Sequence, residues 1–171
     1  MMRVMAGVAV AGTLAACTPP PPTQSVALSD GEVIATTPAG YCFDNEASQP
    51  GNGFAVLAPC ATLGSGDLAP EIIGVATVQV GPPESGSVAG AEIALRDFLI
   101  TDAGNALLST AGESDDINVL STQAFNSQVM VHFTDNGPTP LPGLQSEEWR
   151  AFTDINGRLV TIAVRGLAVA P

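Results

Sequence analysis

On both sides of Asn156-Gly157, over Trp149 to Ile155 and again over Arg158 to Val164, residues at every second position group onto one apolar face. A period of two is the pleat of a half-buried strand, and Asn-Gly suits the two positive-φ positions of a type I′ turn, so this segment reads as a β-hairpin of defined register. The register sets Trp149 opposite Val164, Ala151 opposite Ile162 and Thr153 opposite Val160 on one apolar face, with Glu148 opposite Arg165 on the other. A second hairpin turning at Asn126 and Ser127 would set Ala124 opposite Val129, Thr122 opposite Val131 and Leu120 opposite Phe133. Gln123, Met130, Ser121 and His132 would share its more polar face. Upstream, Phe54 to Ala58 and Ile72 to Val80 are apolar, β-branched runs between Gly, Pro and Ser clusters, the pattern of strands. Within Val88 to Ile100 the spacing changes: Ala91, Ala94, Leu95, Phe98 and Leu99 recur with helical period among Glu92, Arg96 and Asp97. Thr101 or Asp102 would cap a second short helix carrying Ala106, Leu107 and Leu108. The expected fold is α+β, a largely antiparallel twisted sheet with two short helices packed on it.

The pattern leaves open which sheet face the helices cover. Phe152, with Leu159 as its diagonal neighbour, makes an apolar spot on the side away from Trp149, and this is either a contact patch or helix-covered core. Core is the preferred reading, because the helices need a sheet face to pack on.

The amino end follows a different logic. Met1, Met2 and Arg3 form a short basic segment, and Val4 to Thr13 add about ten apolar or small residues, which suits a signal peptide and is too short to cross a bilayer. Leu14-Ala15-Ala16-Cys17 then resembles a lipobox, which implies cleavage after residue 16 and lipid, palmitate included, on Cys17. Thr18 stands where lipoproteins kept at an inner membrane tend to have aspartate, so the same resemblance implies the outer membrane, facing the periplasm. Pro19 to Pro22, Thr23, Gln24 and Ser25 suit an extended spacer. The expected organisation is a signal peptide over 1–16, a lipidated cysteine and proline-rich tether over 17–37, and one globular domain over 38–171, a span of ordinary size for one core. With Cys17 assigned, Cys42 and Cys60 remain, and an even remainder in an exported chain predicts a disulfide between them.

Charge narrows the function. The chain has 17 acidic residues, five arginines, no lysine and a net charge of −12. Electrostatic binding to nucleic acid or anionic lipid is disfavoured, and lysine chemistry is excluded. The only histidine, His132, would have Ser121 as its cross-strand neighbour, but no G-x-S-x-G elbow accompanies it and a lone strand histidine is more often structural. Asp115 with Asp116, and Asp44 with Glu46, lack calcium-loop spacing, and Gly51 and Gly53 do not extend into G-x-G-x-x-G. No catalytic residue, metal site or cofactor is therefore assigned.

Gly40-Tyr-Cys-Phe-Asp44 within Pro38 to Leu63, Cys60-Ala-Thr-Leu63, Trp149-Arg-Ala-Phe152 and Asn156-Gly-Arg-Leu-Val160 together resemble a group of uncharacterised bacterial envelope lipoproteins. The order of helices and strands also resembles the Mog1/PsbP-like fold. These resemblances imply no activity. The expected function is a non-enzymatic accessory or binding module, anchored to the membrane through Cys17 and acting on an envelope protein. The alternatives are a small hydrolase using His132 and an inhibitor-type protein that binds a basic partner.

Overall fold

The structure, a computed structural model, describes residues 23–168. The signal peptide, the lipobox, Cys17 and the Pro19 to Pro22 spacer lie outside the described residues. The chain opens with a hairpin, β1 (Ser25–Leu28) and β2 (Val33–Thr36), followed by a three-strand meander of β3 (Tyr41–Phe43), β4 (Phe54–Pro59) and β5 (Gly74–Val80). Helices α1 (Glu92–Leu99) and α2 (Asp102–Leu108) come next. A second meander, β6 (Ile117–Phe125), β7 (Gln128–Asp135), β8 (Leu144–Ile155) and β9 (Arg158–Leu167), completes the fold. The seven strands from β3 onward form one antiparallel sheet of order β3-β4-β5-β9-β8-β7-β6. The helices thus carry the chain from β5 to the far edge, and the second meander returns until β9 pairs with β5.

Both sequence-read hairpins form. Asn156 and Gly157 take φ values of 51° and 73°, and the pairs Trp149–Val164, Ala151–Ile162, Thr153–Val160 and Glu148–Arg165 all stand opposite one another. Asn126 and Ser127 likewise turn with positive φ, giving Ala124–Val129, Thr122–Val131 and Ser121–His132. The expected pairing of Leu120 with Phe133 is corrected: a bulge between Val119 and Ser121 sets Val119 opposite Phe133 and leaves Leu120 exposed. One extra residue shifts the parity of everything beyond it, and only a smaller side chain then faces the helices. Cys42 and Cys60 form the expected disulfide, joining β3 to the short 3-10 turn after β4.

Helix α1 begins later than the apolar spacing suggests. Ser87, Val88 and Ala89 donate their backbone N–H groups to the Asp154 carboxylate at 3.0, 2.8 and 2.9 Å, so these groups are committed to β8 rather than to a helical turn. The next helix is capped as expected, with the Thr101 hydroxyl accepting the N–H of Gly104. Gly104 lets α2 fold back on α1, since a Cβ there would sit 2.1 Å from the carbonyl oxygen of Phe98.

Residues 25–36, which fall within the 17–37 span read as a tether, form a hairpin on the sheet. Thr23 already bridges to Phe43, and β1 and β2 pack onto the sheet, with Leu28 fully buried and Val33 nearly so. Their side chains meet Phe43, Ala55, Leu57, Val78, Val80 and Val160 on one face of the β3-β4-β5-β9 end. Burial of a side chain of this size contributes roughly 1.5–3 kcal/mol, enough to hold strands of four residues that have no strong pattern of their own. On the opposite face, at the other end, Val88, Leu99 and Leu108 pack against Ile117, Val129, Val131 and Phe133. Phe152 and Leu159 are partly buried against this second cluster.

Candidate functional site

Strand parity sends charged side chains inward at the middle of the helix-side face. On β7, Val129, Val131 and Phe133 face the helices, so Asp135 does too; on β8 the same parity turns Phe152, Arg150 and Glu148 inward, and on β9 Arg165. Asp135, Glu148 and Arg165 are all at most 4% exposed. Charges this deeply buried require partners, and each has several. Arg165 Nε donates to Glu148 Oε2 at 2.5 Å, its Nη2 reaches Asp135 Oδ2 at 3.3 Å, and its Nη1 donates to the Gln145 carbonyl. Arg150 donates from Nε to Glu148 Oε1 at 2.6 Å and lies over the Phe133 ring, 5.3 Å from its centroid. Asp135 also accepts the backbone N–H and the hydroxyl of Thr110 and the N–H of Gly137. Burial pushes the Asp135 carboxyl up, but the hydrogen bonds from Thr110, Gly137 and Arg165 outweigh burial and hold its pKa below the usual 3.8. The four-member cluster is formally neutral and joins three strands to the segment after α2.

Beside this cluster the helices end and the face opens into a groove of about 410 Å³. Its floor is Val75 and Thr77 of β5 with Ala163 of β9, and Phe54 closes one end. Leu141, from the segment between β7 and β8, and Leu144, at the start of β8, form a wall. Arg150, Arg165 and Glu148 line the side nearest the helices. The volume falls within the roughly 300–1,000 Å³ range of small-molecule sites, and the lining is largely apolar with polar groups converging at one side, as such sites are built.

On the reverse face, beyond the reach of the β1-β2 hairpin, the side chains around Trp149 are covered by none of the described residues. His132 and Trp149, cross-strand neighbours, stack with ring centroids 4.1 Å apart and planes 8° from parallel. Glu147 Oε1 lies 2.6 Å from His132 Nε2. Trp149 is 41% exposed, and Ile162 and Val164 beside it on β9 are similarly open. An exposed apolar strip of this kind is suited to contact with another surface.

The candidate residues of the sequence therefore separate. Phe152 and Leu159 lie against the helix-side cluster, whereas Trp149 stands exposed on the reverse face. Ser121 stands opposite His132 in the sheet, and the carboxylate in reach of His132 is Glu147. Asp44 accepts the N–H groups of Glu46 and Ala47 within a turn, and Asp115 and Asp116 form a 3-10 turn before β6. Among the described residues no group of three or more His, Cys, Asp and Glu side chains is placed to hold a metal ion. None of their helices is long and apolar enough to cross a membrane. Asp135 and Arg150 are the site residues that sequence reasoning missed. Their signal was inward parity, since each stands two positions from an apolar residue of the same face, Asp135 after Phe133 and Arg150 before Phe152. No protein-family model matches this chain, and no curated protein matches it in sequence.

Proposed function

We propose that this chain is an accessory module of the bacterial envelope, held at the outer membrane by lipid on Cys17, facing the periplasm, which binds an envelope protein and performs no catalysis. The observation that carries the binding role is the open strip of Trp149, Ile162 and Val164, continued by the stacked His132. Large aromatics set in an apolar patch are the usual anchors of protein interfaces. The lipobox order of residues 14–17 supports the anchor, and the short spacer before Thr23 supports a domain held close to the lipid surface.

Charge specifies the partner. Arg96, Arg150, Arg158 and Arg165 each donate to a group of their own chain, so the acidic residues dominate what a partner meets. The partner is a protein with a basic surface around an apolar contact, drawn in electrostatically and held by burial of the Trp149 strip. Crosslinking in intact cells tests this. A defined partner is captured by the wild type, is released at high salt, and is lost with Trp149→Ala and with Cys17→Ser. A captured protein indifferent to Trp149→Ala and to salt overturns the reading.

One observation favours a hydrolase instead. Glu147 orients His132 as the acid of a triad would, and Ser121 is the neighbouring hydroxyl. An esterase activity of the purified protein that disappears with His132→Ala establishes that reading and removes the first.

A further inference from the structure

The groove on the helix side is separate from the Trp149 strip, because the two lie on opposite faces of the sheet. Its floor is shallow for a specific reason: where β7 and β8 present Phe133 and Phe152 to the helices, β5 and β9 present Thr77 and Ala163 to open space. An apolar lining that none of the described residues fills is suited to a slender hydrocarbon rather than to a polar molecule.

The polar end selects the head group. Of the four arginines in the described residues, two line this groove, against one carboxylate, in a chain of net charge −12. Arg165 is saturated by Glu148, Asp135 and the Gln145 carbonyl. Arg150 is less occupied: Nε and Nη2 serve Glu148, while Nη1 makes only a 3.4 Å contact with the Leu107 carbonyl. Arg150 therefore has N–H groups available at the apolar groove, fixed in direction by Glu148 and by the Phe133 ring beneath.

We propose that this groove binds a free fatty acid, its acyl chain lying over Val75, Thr77 and Ala163 between Phe54 and Leu141, and its carboxylate accepting hydrogen bonds from Arg150. The acyl chain supplies the burial and the guanidinium discriminates the acid from the corresponding alcohol or amine. Glu148 keeps Arg150 from turning away when the groove is empty.

Titration calorimetry of the full chain carrying Cys17→Ser, so that no covalent lipid competes, tests this with dodecanoate below its micellar concentration. The expected result is one saturable site that prefers dodecanoate to dodecanol by about tenfold, the value of one charge-assisted hydrogen bond. Dodecylammonium binds more weakly still. Ala163→Phe, which fills the floor, and Leu141→Asp, which charges an exposed wall without touching the core, each abolish binding. Arg150→Gln removes the preference over dodecanol. Absence of saturable binding, binding indifferent to both groove variants, or equal affinity for the acid and the amine overturns the inference. Capture of a partner through Trp149 is read independently and stands or falls by its own variants.

Discussion

The two ends of the sheet are closed by different means and on opposite faces. At the β3-β4-β5 end, a small hairpin covers one face with an apolar core, and a disulfide secures the edge strand. At the β6-β7-β8 end, two helices cover the other face, and their apolar cluster gives way to a buried cluster of two arginines and two carboxylates. Each cover stops near the middle of the sheet, so each face keeps one open half. Those open halves are the groove and the Trp149 strip, and both candidate sites follow from the same incomplete, diagonal covering.

Removal of a charge from the helix end has the largest expected effect. Arg165→Met leaves Glu148 and Asp135 buried with too few donors, and unfolding in urea should show a loss of about 3–5 kcal/mol, the penalty for an orphaned buried charge. At the other end, Cys42→Ser with Cys60→Ser opens the loop of 18 residues and should cost about 3 kcal/mol, read as a shifted denaturation midpoint. A helix-end effect smaller than the disulfide effect would show that the ion cluster is more hydrated than its burial indicates.

Asp154→Ala deprives three backbone N–H groups of their acceptor and should cost about 2 kcal/mol, with hydrogen exchange rising over residues 85–91 before the rest of the domain. The pH dependence of stability sharpens the contrast between the ends. Asp135 has its folded pKa held below the usual 3.8, so the unfolded chain binds more protons in that range. Its stabilising contribution is whole above 3.8 and disappears as pH falls through the folded value. Asp135→Asn should therefore lower stability at neutral pH and flatten the acid limb of the stability curve, whereas Leu28→Ala should lower the curve without changing its shape. The smallest effect belongs to Trp149→Ala: the ring is part-exposed and stacked on one histidine, so about 1 kcal/mol is expected while partner capture is lost.

Much of this fold was legible because its strongest signals are local. Two-residue turns at Asn126-Ser127 and Asn156-Gly157 lock the pairing of their flanking strands, and seven of the eight cross-strand pairs read from them stand as expected. The eighth failed at a bulge, which has no composition cue in Val119-Leu120-Ser121. The site was less legible. Glu148 and Arg165 were placed opposite each other, yet nothing in the sequence placed Asp135 beside them, because that contact depends on β7 and β9 lying on either side of β8.

What the amino-acid sequence determined by itself was the class of fold, the two carboxyl-half hairpins, the helix pair and the disulfide, all governed by turn chemistry, periodicity or cysteine count. The return of β9 to pair with β5, the packing of residues 25–36 into the core and the half of each face left open were set by long-range contacts. Strands separated by dozens of residues find each other through the collective burial of their faces, and no short-range pattern records a choice made by the whole sheet at once.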